Sequence, residues 1–185
     1  INQFPSLQSL EIQGEGEPLL HPQFFEMAAL ATERGIKVST ISNGSMFSTR
    51  RIEQILDSGI SAIMVSTESA DPEEFRRIRG GKLEVVERGI ASLIEARNAR
   101  GREVPTVGFA MTVLKRTRDQ LNPIFDLYER LGMDGGILCH LLSDMQPYAR
   151  HYSEEMRGEV IPGIGQSLVW ARYARNLDRP GYRES

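Results

Sequence analysis

The residues that could do chemistry in this sequence stand where short apolar runs end. The first run ends in Gly14-Glu15-Gly16-Glu17-Pro18. The two glycines let the backbone approach a ligand or adopt a positive φ, the Glu17 carboxylate can accept hydrogen bonds from an ammonium group, and Pro18 fixes the turn. Taken alone, the segment is equally compatible with a tight strand-to-helix loop. It is not a dinucleotide fingerprint, because Leu19 stands where the third glycine belongs.

Polar side chains also follow the next two apolar runs. The second run ends in Ser42-Asn43-Gly44, in which Asn-Gly is also a common turn pair. The third ends in Ser66-Thr67-Glu68-Ser69, whose hydroxyls and carboxylate suit a ribose or another polar head group, although the same residues could cap a following helix. Ligands of parallel α/β proteins bind at the carboxyl ends of strands, so these segments form the candidate site.

Cations follow two later elements. One group is Arg79-Gly80-Gly81, which could bind a carboxylate or a phosphate but could equally be a plain loop. The other is Lys115-Arg116-Thr117-Arg118, which could bind the same anions or be solvated surface charge. Cys139 and His140 adjoin on a predicted strand, so their side chains point to opposite faces and cannot chelate one metal together. The sequence assigns no metal ligand and no catalytic residue.

The elements that position these residues are predicted by periodicity. Short apolar runs rich in β-branched residues alternate with segments of helical spacing, which predicts an α/β fold with a parallel sheet. Asp71-Pro72 marks one helix start. Spacing leaves open whether the sheet is doubly wound or an arc of a barrel. The predicted strands are Leu7–Gln13, Lys37–Ile41, Ala62–Ser66, Thr106–Leu114 and Gly136–Leu142, and the longest predicted helix runs from Leu83 to about Arg100.

Composition excludes several classes of protein. The 185 residues are 40% hydrophobic and 25% charged, as is ordinary for a globular domain. The net charge of −3 gives no electrostatic reason to expect nucleic-acid or anionic-membrane binding. No apolar stretch approaches the roughly 20 residues that a membrane helix needs. The single cysteine, Cys139, excludes an internal disulfide framework and fits a reducing compartment, so a cytoplasmic location is predicted.

In order and spacing these segments resemble the radical S-adenosylmethionine (radical SAM) superfamily, from about residue 7 to residue 142. The stretch from Leu10 to Pro22 resembles the family's "GEP" segment, and Ser42-Asn43-Gly44 its Thr-Asn-Gly segment. Val65-Ser66-Thr67-Glu68 and the loop at Ile78-Arg79-Gly80-Gly81 are similar to its Val-Ser-x-Asp strand and Ile-Arg-Gly-Gly loop. The resemblance is closest to the branch with a C-terminal cysteine-rich (SPASM-type) cluster domain, which modifies peptides or proteins. It implies a partial (β/α) TIM-type barrel of about five βα units.

The resemblance also implies a ligand, S-adenosylmethionine. The backbone around Gly16 and Glu17, in the loop that includes Gly14 and Pro18, would hold the methionyl amino group. Ser66 and Glu68 would face the ribose, Arg116 would receive the methionyl carboxylate, and Asn43 would line the same mouth. In the family, a [4Fe–4S] cluster with one open iron reduces S-adenosylmethionine and releases a 5′-deoxyadenosyl radical that abstracts hydrogen from the substrate. The protein orients the sulfonium and excludes water and oxygen.

The sequence departs from the family pattern in its cysteines. The cluster motif C-x3-C-x2-C belongs after the first barrel strand, upstream of the GEP segment, and one cysteine cannot ligate a [4Fe–4S] cluster. In addition, Ser42 replaces a threonine and Glu68 an aspartate. Because the chain begins at Ile1 rather than Met, it is expected to be a fragment, without the first strand and the cluster loop.

Residues 1–150 are thus predicted to form the partial barrel, and 151–185 a helical extension or the start of a truncated following region. The leading hypothesis is a fragment of a radical SAM enzyme, inactive without the cluster cysteines, whose partners are S-adenosylmethionine and a peptide or protein substrate. One alternative is a catalytically degenerate barrel that binds a nucleoside or docks a partner. Another is a phosphate-binding α/β enzyme using Gly80, Gly81 and Arg116. A missing βα unit would also uncover a strand edge, which predicts limited stability and self-association.

Overall fold

The computed structural model describes residues 3–142 and 150–161. Strands and helices alternate along the first of these ranges, and a 3₁₀ turn at Pro18–Leu20 precedes the first helix. The strands are β1 (Ser9–Glu11), β2 (Lys37–Ser42), β3 (Ala62–Ser66), β4 (Thr106–Val113) and β5 (Ile137–Leu141). The helices are α1 (Phe24–Thr32), α2 (Thr49–Asp57), α3 (Pro72–Arg79), α4 (Leu83–Ala99), α5 (Asn122–Arg130) and α6 (Glu154–Gly158).

The strands form one parallel sheet in which spatial order equals chain order, β1-β2-β3-β4-β5. A doubly wound sheet reverses its strand order at a switch point, and this sheet does not. The five strands curl into a half-barrel with helices between them. The predicted partial (β/α) TIM-type barrel is therefore confirmed, and the doubly wound alternative is wrong.

All five predicted strands are present, but β1 is shorter than expected. Its ladder with β2 begins where Ser9 faces Lys37 and ends where Glu11 faces Ser39. One further bond, from the Ile12 amide to the Ser39 carbonyl at 2.9 Å, closes the pairing. Beyond it the chain turns away into the glycine-containing loop, so the predicted extension to Gln13 does not form.

One face of the sheet is buried against helices. Register pairs Thr40 with Ile63 and Val65 with Phe109 on this face, and all four side chains are buried. The Phe109 ring contacts Tyr128 of α5 at a centroid distance of 6.3 Å. Burying the apolar side chains of Ile63, Val65 and Phe109 stabilises the fold by roughly 1.5–3 kcal/mol each. The opposite, less buried face is the concave inner face of the half-barrel; it bears Met64, Ser66, Thr112 and His140.

Helix α3 begins and ends at signals that the sequence contains. The Asp71 carboxylate accepts a hydrogen bond from the Glu74 amide at 2.8 Å, and Pro72 occupies the first helical turn, as predicted. Gly80 ends the helix with φ +71°, which a residue without a Cβ adopts at little cost. These two ends fix the directions of Glu74 and Arg79, which both point to the candidate site.

Residues 150–161, here called the strap, lie against the end of β4. Ser153 caps α6 by accepting from the Met156 amide at 3.2 Å, and the Lys115 amide donates to the Glu159 carbonyl at 3.0 Å. The rest of the predicted extension, 162–185, lies outside the described residues. Among residues 3–142 and 150–161, every helix is too short or too polar to span a membrane.

Candidate functional site

The Glu17 carboxylate joins the ends of β1 and β2. Its Oε1 accepts from the Ser42 hydroxyl at 2.9 Å and from the Leu19 amide at 3.2 Å, and its Oε2 accepts from the Asn43 amide at 2.7 Å. The sequence predicted an acceptor for a ligand's ammonium group at this position. In the structure the carboxylate accepts from donors of the chain itself, and so it positions the turn that follows β2.

The loop before Glu17 is open. Gly14 and Gly16 are exposed, neither has a positive φ, and a Cβ built on either would meet no atom within 4 Å. Of the two reasons for glycine that the sequence suggested, the positive φ is therefore not used. The space above the backbone remains compatible with the other reason, close approach by a ligand.

The Ser42-Asn43-Gly44 segment is a turn as well as part of the mouth. Asn43 Oδ1 accepts from the Ser45 amide at 2.9 Å and from the Ser45 hydroxyl at 2.6 Å, as in an Asx turn. Gly44 has φ +72°, and a Cβ there would lie 2.8 Å from side-chain atoms of both Val65 and Val86. Only glycine fits this position, because the backbone passes directly over the core.

After β3, alternate residues serve different purposes. Thr67 and Ser69 are buried and structural, since the Thr67 hydroxyl donates to the Ser69 carbonyl at 3.1 Å and the Ser69 hydroxyl accepts from the Asp71 amide at 3.0 Å. Ser66 ends β3 on the inner face, where Ala110 of β4 is its register partner. The helix-cap interpretation is therefore wrong for these hydroxyls, because the N-cap of α3 is Asp71. Ser66 lies on the inner face, and Glu68 lines the cleft described below.

Glu68 forms a bidentate ion pair with Arg79. Arg79 Nε donates to Glu68 Oε2 at 2.6 Å, and Arg79 Nη2 contacts Glu68 Oε1. The Glu68 side chain is 4% exposed and that of Arg79 is 33% exposed, so the carboxylate is buried beneath its partner. The anion that the sequence suggested for the Arg79-Gly80-Gly81 loop is therefore a carboxylate of the same chain. Each Glu68 oxygen retains a lone pair that a ligand hydroxyl could use.

A cleft of about 340 Å³ opens beside this pair, at the carboxyl ends of β3, β4 and β5. Its polar wall includes Glu68, Arg79 and Arg116, and its apolar wall includes Leu114, Leu142 and Met156. Met156 belongs to the strap. A cleft with charged groups on one wall and apolar groups on the other is typical of a small-molecule site.

Arg116 is surrounded by carboxylates. Its Nε donates to Glu159 Oε1 at 2.7 Å, its Nη2 to Glu155 Oε1 at 3.2 Å, and its Nη1 lies 3.6 Å from Glu74 Oε1. Its backbone amide also donates to Glu159 Oε2, at 3.0 Å. Burial lowers the pKa of the guanidinium. The hydrogen bonds to Glu155 and Glu159, together with the negative charges of Glu159 and Glu74, outweigh burial and raise the pKa above its ordinary value.

The structure thus gathers the predicted residues into two groups. Glu17, Ser42 and Asn43 form the first, at the ends of β1 and β2; Glu68 and Arg116 belong to the second, at the ends of β3 and β4. From β1 to β4 is three strand spacings, about 14 Å along the sheet. A ligand that contacts both groups would have to span this part of the sheet.

Cys139 and His140 lie on opposite faces of β5, as predicted. Cys139 faces Met111 and packs against the core, whereas His140 faces Thr112 and is exposed on the inner face. Burial raises the pKa of the Cys139 thiol. Within residues 3–142 and 150–161, no three His, Cys, Asp or Glu side chains are arranged to hold a metal ion. The residues of this sequence do not fit a four-iron cluster, because it needs several thiolates and the sequence has one cysteine.

Comparison with known proteins gives a family and several relatives. The family model described as the Radical SAM superfamily matches residues 10–128. A probable GTP 3′,8-cyclase of Methanococcus aeolicus is 27% identical over 173 residues, covering 92% of this chain and 56% of that protein. The AdoMet-dependent heme synthase of Methanosarcina barkeri is 30% identical over 119 residues, covering 63% of this chain and 32% of that protein.

The tungsten-containing aldehyde ferredoxin oxidoreductase cofactor-modifying protein of Pyrococcus furiosus is 25% identical over 140 residues, covering 75% of this chain and 39% of that protein. The chain thus spans between 32% and 56% of the length of these curated relatives.

Solved structures share the fold. The Streptococcus suis SuiB structure bound to S-adenosylmethionine aligns with a TM-score of 0.69 and 14% identity, covering 92% of this chain and 36% of SuiB. TYW1 with a lysine-pyruvate adduct bound aligns with a TM-score of 0.61 and 22% identity, covering 94% of this chain and half of TYW1. At these identities the likeness establishes a common architecture.

Proposed function

This chain belongs to the Radical SAM superfamily, and on that premise we propose that it forms the S-adenosylmethionine-binding part of a radical SAM enzyme. The observation that carries the proposal is the ordered series of polar residues at the ends of β1 to β4, within the matched range. Ligands of parallel α/β barrels bind at this edge. An extended ligand with an amino acid at one end and a nucleoside at the other suits two groups separated across the sheet.

The amino-acid end of S-adenosylmethionine would bind at β1 and β2. Because the Glu17 carboxylate serves the Ser42 hydroxyl and the Asn43 amide, the methionyl ammonium would be received by backbone carbonyls of the Gly14–Pro18 loop. Gly16 leaves room for this approach, since no atom lies within 4 Å of a Cβ built there. Glu17 then acts as a positioning residue, and Asn43 lines the mouth beside the ligand.

The nucleoside end would bind at β3. The Glu68 carboxylate, held in place by Arg79, would accept hydrogen bonds from the ribose hydroxyls, and the Ser66 hydroxyl would donate to or accept from them. The longer glutamate side chain, in place of the family's aspartate, is supported on both oxygens by Arg79. The apolar wall of Leu114 and Leu142 would exclude water from the bound nucleoside.

For Arg116 we propose a carboxylate as the ligand group. Its guanidinium already contacts carboxylates, and a fork of parallel donors matches that group. The methionyl carboxylate is the first candidate, as the family resemblance implies. Because the strand that leads to Arg116, β4, lies three strand spacings from β1, about 14 Å along the sheet, a carboxylate of the second substrate is the other candidate.

The activity of the whole protein is a further proposal. When bound and reduced by a [4Fe–4S] cluster, S-adenosylmethionine supplies a 5′-deoxyadenosyl radical for hydrogen abstraction. Because the residues of this sequence do not fit the cluster, we propose that this chain alone binds S-adenosylmethionine without cleaving it. A peptide or protein substrate is proposed from the resemblance to the SPASM-type branch, and SuiB, solved with its precursor peptide SuiA, shares the fold.

The test has two stages. Isothermal titration of this chain with S-adenosylmethionine should give one binding site, and anaerobic incubation with a reductant should give no 5′-deoxyadenosine. The complete reading frame, reconstituted with iron and sulfide, should form 5′-deoxyadenosine under reduction. If the reconstituted full-length protein forms none, the proposed enzyme activity is wrong.

A second candidate is a catalytically degenerate barrel that binds a nucleoside or docks a partner. It is favoured by the single cysteine, Cys139, and by the occupation of Arg116 by the strap. The reading frame upstream of the Ile1 codon separates the two: an in-frame C-x3-C-x2-C supports the enzyme, and a start codon with no cysteine before it supports the binding module. A cytoplasmic location fits either candidate.

We also propose self-association through β1. This strand pairs with β2 on one side, lies at the edge of the described sheet and has exposed residues at Ser9 and Glu11. Light scattering at several concentrations tests this, because a monomer at every concentration would contradict it.

A further inference from the structure

The strap supplies two of the three carboxylates around Arg116. Glu155 and Glu159 are one helical turn apart, so both side chains reach the same guanidinium. Glu159 makes the closest contacts, to Nε and to the backbone amide of Arg116. Glu155 also lies 3.8 Å from Arg77 of α3. The third carboxylate, Glu74, comes from α3 and contacts Nη1 at 3.6 Å.

The balance of charge around Arg116 depends on the strap. Three carboxylates, those of Glu74, Glu155 and Glu159, face two guanidiniums, those of Arg77 and Arg116, an excess of one negative charge. Without the strap, two guanidiniums would face Glu74 alone, an excess of one positive charge. The remainder of the fold therefore presents a net positive pocket, and the two glutamates of the strap change its net charge from positive to negative.

The strap is held mainly by these polar contacts. None of the residues of α6 is buried, and Met156 is 43% exposed although it lines the cleft. Ile161 is the strap residue that packs against the core cluster. Ion pairs near the surface contribute little free energy because water and salt screen them. A ligand carboxylate could therefore replace Glu155 and Glu159 without disrupting the core.

We propose that the strap is an internal competitor that masks a carboxylate subsite formed by Arg116 and Arg77. A ligand carboxylate binds Arg116 only when Glu155 and Glu159 leave it. The identity of that ligand rests on the proposed function, which offers the carboxylates of S-adenosylmethionine and of the second substrate. The competition itself does not rest on it, because any carboxylate would meet the same two glutamates.

The first experiment compares the wild-type chain with the Glu155→Gln/Glu159→Gln variant. Glutamine keeps the shape of the strap and removes its charge. The control, Glu95→Gln/Glu154→Gln, removes the same charge at exposed positions. The probes are S-adenosylmethionine, 5′-methylthioadenosine, which has the nucleoside but no carboxylate, and malonate, which brings only carboxylates. Titration calorimetry gives affinities, and circular dichroism checks that each variant is folded.

If the strap fills the subsite nine-tenths of the time, its neutralisation should raise the affinity for a carboxylate ligand about tenfold. We expect this gain for malonate, no change for 5′-methylthioadenosine, and no gain in the control. Adding Arg116→Gln to the strap variant should abolish the gain. Equal malonate affinity in wild type and strap variant, or no malonate binding to either, overturns the proposal.

Comparing malonate with S-adenosylmethionine tests the strap separately from the proposed function. A gain for both malonate and S-adenosylmethionine assigns the subsite to the methionyl carboxylate. A gain for malonate with S-adenosylmethionine bound equally by both proteins assigns it to the second substrate. A gain for malonate when S-adenosylmethionine binds neither protein supports the strap and counts against the proposed ligand.

Hydrogen exchange tests the same displacement in the unmodified chain. The Lys115 amide donates to the Glu159 carbonyl, so it is protected while the strap is in place. Saturating malonate should speed exchange at Lys115. It should leave exchange unchanged at Val107, near the opposite end of β4, whose amide donates to the Asp134 carboxylate. Unchanged exchange at Lys115 under saturation would show that the carboxylate binds elsewhere and would overturn the proposal.

Discussion

The Glu17 carboxylate holds the Asn43 amide at 2.7 Å and thereby ties the end of β1 to the end of β2. The same carboxylate accepts a hydrogen bond from the hydroxyl of Ser42, a buried residue. Replacing Glu17 by alanine should lower the free energy of unfolding by about 1–3 kcal/mol, the usual cost of losing hydrogen bonds to a charged group. Urea unfolding measures this. Glu15→Ala, an exposed change two residues away, is the matched control and should have an effect below about 0.5 kcal/mol.

Gly16 and Gly44 should respond differently to alanine. Gly16→Ala places a methyl group in open space at an ordinary φ, so the melting temperature should stay unchanged while S-adenosylmethionine binding weakens. Gly44→Ala combines a φ of +72° with contacts of 2.8 Å to Val65 and Val86, and should destabilise the fold by about 2 kcal/mol or more. Thermal melts and titration calorimetry on both variants check this. Unchanged ligand affinity in Gly16→Ala would argue against a ligand above the Gly14–Pro18 loop.

Neutralising Arg79 should cost more stability than neutralising its partner Glu68. Arg79→Gln leaves a carboxylate that is 4% exposed without a counterion, whereas Glu68→Gln leaves a guanidinium that is one-third exposed and can turn to water. We expect Arg79→Gln to cost about 2–3 kcal/mol of stability, allowing for the screening of Arg79, and Glu68→Gln to cost less. Chemical denaturation gives both values. An equal or larger cost for Glu68→Gln would contradict the burial of this carboxylate.

The reactivity of the Cys139 thiol should depend on pH differently in the folded and the unfolded chain. Burial raises its pKa above the ordinary value of 9.0, so the folded chain should be alkylated by iodoacetamide at higher pH than the unfolded chain. The raised pKa also determines how the stability of the fold changes with pH. The contribution of the protonated thiol is present below pH 9.0 and is lost as the pH rises through the raised folded-state value.

The measurement is the alkylation rate against pH, with and without urea, followed by mass. Cys139→Ser supplies the blank for reaction at other side chains. Coincident profiles for folded and unfolded chains would contradict the burial of this thiol.

Much of the fold could be predicted because its signals are local. Apolar, β-branched runs mark the strands, and the Asp71-Pro72 pair marks the start of α3, each within a few residues of sequence. Whether the sheet is doubly wound or an arc of a barrel depends on which strands pair, and that is a non-local property. The short β1 is a related case, since its length depends on where the ladder with β2 ends.

The positions of the candidate site were predictable, but the partners of its side chains were not. The sequence placed Glu17, Glu68 and Arg116 at strand ends. It gave no signal that Glu17 would accept from Ser42, 25 residues away, or Arg116 donate to Glu159, 43 residues away. Arg79 is 11 residues from Glu68, and the family motifs that contain these two residues are separate, so they did not predict the ion pair. Charged side chains choose partners by proximity in three dimensions, which a motif does not record.

The agreement between strand order and chain order has a consequence for synthesis on the ribosome. Each new strand can pair with the strand that emerged just before it, so the sheet can grow in the direction of translation without waiting for distant sequence. The Glu17–Asn43 bond can close as soon as β2 has emerged, whereas Arg116 must wait for Glu159. A nascent chain arrested before the strap would thus carry an assembled sheet whose arginine pocket is still open to any carboxylate in solution.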